Sequence, residues 1–381
     1  MNAAQSPDET PRRVLLVRLS AIGDVIMSSG LIPVLRAAWP HAEIVWLTDE
    51  SNVPLLRHNP RLAKVIALPR RRWAGLWRAG RRLDAMGEAR RFVRDLRARR
   101  FDLAIDLQGL FKSGVWVRLS GAPLRIGLGS REGSGLLMTR VVGREVSDDR
   151  LGKEYRRLAQ ALGLDAARFA MDIVPSPQDE ARAAEALAAV GVRGDYCVLA
   201  PFTTRPQKHW IDERWAQLAQ RFAAEHGWRA VVLGGPADRD RGAAIAVAAG
   251  DTAASLAGAT SLTEAAAVIR GARLLVGVDT GLTHLGVAMA TPTLALFGST
   301  CPYLRAPEGR LQVVYLPRPC SPCRRNPTCD GRFDCMREIS VDRVAAGVAD
   351  LLAASQSRAL SPEHGGEGHG EGGNWAVEFP G

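Results

Sequence analysis

The chain has 381 residues, 46% of them hydrophobic, which is too much for one core of ordinary size and points to two domains. No run of about 18 uninterrupted apolar residues occurs, which excludes a membrane-spanning helix, and residues 1–10 lack the charged-then-apolar order of a signal peptide, so a cytoplasmic protein is expected. The net charge of +10 is concentrated: residues 61–100 carry fourteen Lys or Arg against three Asp or Glu, a local balance of +11. Such a patch attracts a polyanion, namely nucleic acid, an anionic membrane surface or a phosphorylated glycolipid, unless it is only a set of solvated helix faces.

Residues 1–11 read as disordered, residues 13–18 as a buried strand, 19–24 as a turn and 25–39 as an amphipathic helix. Strands follow over 43–48 and 65–68, and the basic stretch then carries one or two helices. Trp73 and Trp77 stand among its arginines, either as anchors for a membrane interface or sugar acceptor or as core residues of a short helix. A strand over 103–107, a turn at Gln108-Gly109, a helix through Leu119 and a short strand over 125–128 complete the first alternation. Residues 171–195, with Pro175, Pro177 and an Ala/Glu-rich helix, read as an interdomain connection. Strands are then expected over 196–200, 229–233, 274–278 and 293–297, with helices over 210–226 and 262–270 and a closing helix over 341–354. The tail from Ser355 is low in complexity and reads as disordered, with His364 and His369 as weak metal ligands or inert residues. Alternating strands and helices imply an α/β fold with doubly wound parallel sheets, here in two domains over 12–170 and 196–354.

Ligands of such sheets sit beyond the carboxyl ends of the strands, so chemistry is sought in the loops 20–24, 106–112, 201–208, 234–240 and 279–284. In Val276-Gly-Val-Asp-Thr-Gly-Leu-Thr-His284 an apolar strand breaks at a glycine turn into a helix start. The free N–H groups and positive dipole end there suit a phosphate or diphosphate, unless Asp279 or Thr280 merely caps the helix. Thr203, Thr204 and Lys208 follow another strand and could grip the same diphosphate from a second side, Lys208 stabilising a departing charge. Asp24 stands after Gly23 at the start of the first long helix, as a cap or as a carboxylate able to take the proton of an attacking hydroxyl. Cys197 and Cys301 read as core residues. Cys320, Cys323, Cys329 and Cys335 lie within sixteen residues among Pro and Gly and suit one structural zinc or iron ion, the alternative being reduced thiols on a loop. This knuckle is expected after the last strand, away from the Asp24 and Lys208 loops, in support of stability or assembly.

Five segments, in this order, resemble glycosyltransferase family 9, the bacterial ADP-heptose:lipopolysaccharide heptosyltransferases. They are Val14-Leu-Leu-Val-Arg-Leu-Ser-Ala-Ile-Gly-Asp-Val25, Phe101-Asp-Leu-Ala-Ile-Asp-Leu-Gln-Gly-Leu-Phe-Lys-Ser113, Thr203-Thr204 with Lys208-His-Trp210, Gly234-Gly-Pro-Ala-Asp238, and Val278-Asp-Thr-Gly-Leu-Thr-His284. The resemblance implies a GT-B fold, two Rossmann-like domains facing a cleft, and inverting transfer of heptose from ADP-heptose to an anionic acceptor. The lipopolysaccharide inner core is the acceptor expected, with another glycan, a protein or an epimerase reaction as alternatives. It implies Asp24 as catalytic base. Thr203, Thr204, Lys208, Thr280, Gly281 and His284 would hold the donor diphosphate, Asp279 the sugar hydroxyls, and Asp238 or Asp240 the ribose. Lys112 with Arg70, Arg71 and Arg72 would meet the acceptor, and the basic segment would touch the inner membrane surface. The four cysteines resemble the metal finger of the protein-modifying branch. No catalytic metal is expected, because Lys208 and the helix ends already offset the diphosphate charge. Nucleic acid is not expected as a partner, because the usual recognition motifs are missing from the sequence.

Overall fold

The central strands are apolar runs without polar alternation, the signature of parallel strands covered on both faces. In the computed structural model, which describes residues 10–144, 150–300, 310–323 and 326–359, they build two sheets. The first contains β1 (Arg13–Val17), β2 (Glu43–Asp49), β3 (Lys64–Leu68), β4 (Leu103–Asp106), β5 (Leu124–Leu128) and β6 (Arg140–Val142), ordered β3-β2-β1-β4-β5-β6. The second contains β7 (Tyr196–Ala200), β8 (Arg229–Val232), β9 (Ala253–Ser255), β10 (Leu274–Val278), β11 (Thr293–Phe297) and β12 (Leu311–Tyr315), ordered β12-β11-β10-β7-β8-β9. Every pairing is parallel, and both sheets follow one topology, with a switch point between their first and fourth strands. This is the doubly wound α/β class expected. β6 and β9 have three residues each and sit at sheet edges, too short to show a pattern. β12 carries ordinary strand residues and extends the second sheet past β11, where the sequence reading ended it. Cys301, His364 and His369 lie outside the described residues.

The helix expected over 25–39 is two helices, Ile22–Ser28 and Leu31–Ala38. A packing event explains the break. The Phe169 ring lies on Gly30 so closely that a Cβ there would stand 2.5 Å from its Cζ. Ser29 Oγ donates to the Ile26 carbonyl at 2.6 Å and accepts from the Asp172 amide at 2.8 Å. The chain leaving the first sheet is thereby pinned to the break. A glycine already costs a helix about 1 kcal/mol against alanine, so little is lost by interrupting it there.

Within the expected connection, Pro177–Ala189 is a capped helix, the Ser176 hydroxyl accepting from the Asp179 amide at 3.1 Å. It packs on the helix Leu262–Gly271, from which the Thr263 hydroxyl donates to Asp179 at 2.8 Å. The closing helix runs Val341–Ala359, so the tail expected from Ser355 begins inside it.

The two halves meet where Ile22–Ser28 packs on the helix Gly281–Ala288. Both helices approach through glycine. A Cβ on Gly23 would lie 2.7 Å from His284 Cδ2, and one on Gly281 would lie 2.9 Å from Ile22 Cγ2.

The basic segment forms a helical hairpin, Arg70–Arg78 and Arg82–Arg97. Its two tryptophans separate in role. Trp73 packs edge-on to Phe92 at 5.5 Å and against Trp116 at 5.8 Å, whereas Trp77 is 52% exposed. Among the described residues no helix is long and apolar enough to cross a membrane.

Candidate active site

The loops at the carboxyl ends of the strands enclose a cleft of about 1230 Å³ lined from both halves. Asp24 lines it from the first half. Thr203, Thr204, Lys208, Asp238, Asp279, Thr280, Gly281 and His284 line it from the second. The structure therefore gathers these nine sequence-derived residues in one space.

On the second half, a carboxylate, Asp279, directly follows β10, and the next helix begins two residues later. Asp279 Oδ2 accepts from Lys208 Nζ at 2.5 Å, and Oδ1 lies 3.7 Å from His284 Nε2, beyond ordinary hydrogen-bond length. Burial would raise the Asp279 pKa, but His284 and Lys208 outweigh it and hold the carboxyl well below the usual range. Asp279 thus stays ionised and anchors Lys208 at the cleft wall. Helix Gly281–Ala288 opens at Thr280 without a side-chain cap. Its first-turn N–H groups have no intrahelical acceptor and remain available to an anion.

The Gly234-Gly235-Pro236 turn follows β8. Gly234 is needed because a Cβ would lie 2.5 Å from Phe202 Cδ2 and 2.9 Å from Asp238 Cβ. Asp238 Oδ2 accepts from the Gly235 amide at 2.8 Å, leaving Oδ1 for a ligand, while Asp240 is outside the cleft lining.

On the first half, Asp24 does both jobs that the sequence offers it. Its Oδ2 accepts from the Ala21 amide at 3.2 Å, a cap on helix Ile22–Ser28, yet the side chain keeps 39% of its surface exposed at the cleft. The same oxygen pairs with Arg18 Nη2 at 2.5 Å. Arg18 is buried and also donates to the Leu107 carbonyl at 2.7 Å. This pair was missed in the sequence, although a lone arginine closing the run Val14-Leu-Leu-Val17 was its signal.

The acceptor residues proposed from sequence are divided. Arg70 pairs with Asp49 at 2.7 Å, and its charge and that of Lys112 both act on this carboxyl. They therefore stand together at the ends of β2 and β4. Arg71 is exposed on the hairpin, and Arg72 donates to Glu88 through Nε and Nη2.

The four cysteines gather in space. Burial first, then the neighbouring Cys320, Cys323 and Cys329, pushes the Cys335 thiol up to about 11. As the side chains stand, no group of three or more His, Cys, Asp or Glu among the described residues converges closely enough to hold a metal ion.

Two doubly wound sheets facing a cleft, with an exposed carboxylate on one wall and a lysine and helix start on the other, are the architecture of a GT-B glycosyltransferase. The family model described as glycosyltransferase family 9 (heptosyltransferase) matches residues 89–332. Lipopolysaccharide heptosyltransferase 1 of Pseudomonas aeruginosa is 34% identical over 364 residues, 91% of this chain and 99% of that protein. Among solved structures, E. coli heptosyltransferase WaaC with ADP-2-deoxy-2-fluoro heptose matches at a TM-score of 0.66 and 26% identity, covering 89% of this chain and 99% of that one. The family 9 glycosyltransferase of Veillonella parvula matches in fold at a TM-score of 0.74 and 22% identity, over 90% of this chain and 97% of that one. The chain belongs to glycosyltransferase family 9.

Proposed function

We propose that the protein transfers heptose from ADP-heptose to the inner core of lipopolysaccharide, with inversion at the anomeric carbon. The supporting observation is the single cleft that joins Asp24 of one half to Lys208, Asp279 and the Gly281 helix start of the other. The names of the relatives supply the sugar and the acceptor. In this reading the acceptor hydroxyl attacks the anomeric carbon and its proton passes to Asp24. The bond from that carbon to the diphosphate breaks, and ADP leaves with its new charge against Lys208 and the helix N–H groups. Thr203, Thr204, Thr280 and His284 hold the diphosphate, and Asp238 holds the ribose. Incubation with ADP-heptose and a heptose-free core glycolipid should release ADP and add one heptosyl group to the acceptor. Release of ADP at the same rate without any acceptor would point instead to an epimerase-type reaction.

The helical hairpin is read as the acceptor-capturing face, seated on an anionic bilayer. Trp77, Leu83 and Met86 are exposed there at 52%, 84% and 41%, and the Arg82 guanidinium lies 5.3 Å over the Trp77 ring. An apolar slot of about 330 Å³ lies between the two helices, lined by Trp73, Trp77 and Met86 among others. Apolar tips ringed by arginines complement a surface of acyl chains and phosphates. Charge reversal at Arg71, Arg78 and Arg82 should raise the KM for the glycolipid and abolish sedimentation with anionic vesicles, leaving donor KM unchanged. Retention of acceptor KM and vesicle binding at low and high salt would make the hairpin a solvated face only.

The cysteine knuckle is proposed to take one structural zinc or iron ion, for which the thiols must close up from where they stand. Four soft donors suit either metal. Protein purified without a metal-binding tag should carry about one ion per chain. Metal-free protein with four titratable thiols here and a thermal midpoint indifferent to chelators would rule this out.

A further inference from the structure

The cysteine segment is not remote from the chemistry, contrary to its expected place. β11 ends at Phe297, and the chain turns through Gly298, Ser299 and Thr300 into the cleft lining. Thr300 Oγ1 donates to Asp279 Oδ2 at 2.7 Å, the same oxygen that takes Lys208 Nζ at 2.5 Å. The far side of this turn is clasped by the cysteine segment. The Gly298 carbonyl accepts from Ser321 Oγ, which lies between Cys320 and Cys323 and is itself 3.0 Å from the Tyr315 hydroxyl. A Cβ on Gly298 would stand 2.7 Å from Met336 Sδ and 2.9 Å from Cys335 Sγ, so the segment presses directly on the backbone there. Gly298 is thus held at its carbonyl and at its Cα by residues that flank or belong to the thiol cluster.

We propose that Thr300 is a positioning residue that fixes the Asp279 carboxylate beneath Lys208, and that the four-cysteine segment sets Thr300 by clamping Gly298. The physical need is specific. A carboxylate turns easily about its last torsion, and Lys208 on Oδ2 with His284 3.7 Å from Oδ1 leaves the position of its oxygens, and of the lysine, loosely defined. A second donor on Oδ2, fixed to the end of β11, removes that freedom. The thiol cluster then acts on the donor site through two residues of backbone, whatever species links its sulfurs. This inference rests on Lys208 being a donor-binding residue.

The test is steady-state kinetics of the full chain, with donor KM, acceptor KM and kcat measured separately. Thr300→Val keeps the shape and removes the hydroxyl, and should raise donor KM about tenfold, the loss expected for a hydrogen bond to a charged group. Acceptor KM should not move, and Thr300→Ser should restore donor KM to within about twofold of the parent chain. Ser321→Ala removes one clamp from Gly298 and should raise donor KM in the same direction by a smaller factor. Donor KM within about twofold of the parent in Thr300→Val overturns the role of Thr300. A Ser321→Ala chain whose thermal midpoint falls while donor KM is unchanged overturns the role of the clamp. Lys208→Ala, run alongside, separates the two levels. If it weakens the donor and Thr300→Val does not, the positioning role fails and the donor site stands. If neither weakens it, the donor-site reading itself fails.

Discussion

Asp24→Asn is expected to lower turnover by about 10²–10⁴-fold, the range for loss of a general base, with donor affinity little changed. Asn is the informative substitution because Asp24 carries structural contacts as well. Its Oδ2 receives both the Ala21 amide and the buried Arg18 guanidinium. Alanine would leave that arginine buried without its carboxylate, a change that costs several kcal/mol on its own and would confuse a catalytic loss with a folding loss. An amide oxygen keeps an acceptor for both donors but gives up the negative charge opposite Arg18 along with the basicity, so the thermal midpoint of the variant is measured beside its turnover. Initial rates of ADP release, with donor binding measured by calorimetry, decide the matter. Near-parental turnover in Asp24→Asn would reduce Asp24 to a cap on helix Ile22–Ser28.

Lys208→Ala is expected to cost about 10²–10³-fold in turnover, as for removal of one preorganised donor at a developing charge, and to weaken ADP-sugar binding as well. Two effects add here. The diphosphate loses a cation, and Asp279, almost buried, loses the contact that offsets its charge. That carboxylate would then stand nearest the incoming anion with only Thr300 and His284 beside it, and would repel it. Lys208→Arg should recover less than a conservative change suggests, because a planar fork cannot occupy a point-charge site held at 2.5 Å. Unchanged donor affinity and turnover in Lys208→Ala would remove this residue from the site.

The donor wall was legible because each of its loops follows a strand and carries residues with one plain use. A helix start marks anion binding in Asp279-Thr280-Gly281, and the family resemblance singles out Gly234-Gly-Pro-Ala-Asp238. Local pattern could not supply what depends on distant partners. Trp73 and Trp77 stand four residues apart in one arginine-rich stretch, and only the aromatic faces of Phe92 and Trp116 decide that one is core and the other exposed. The break at Gly30 needs Phe169 in place before it is visible. Thr300 was unreadable for a related reason. Its contact with Asp279 exists because β10 and β11 are neighbours in register, Val278 beside Leu296, a fact of sheet order rather than of composition. The cysteines were misplaced relative to the chemistry for the same reason, since Gly298 meets Cys335 across 37 positions of chain.

Both sheets repeat one strand order, and the repetition divides the labour of the enzyme by address. The stretch after the first strand of one sheet carries Asp24, the proposed base, and the stretch after the first strand of the other carries Lys208, the proposed donor contact. On the proposed reading, sugar choice and acceptor choice therefore lie on separate stretches of chain. If the arginine hairpin captures the acceptor as proposed, exchanging residues 12–168 between relatives should change the acceptor used and leave the sugar donor the same. Any such hybrid must keep the close approach of Gly23 and Gly281 beside His284 and Ile22, one of the places where the halves touch.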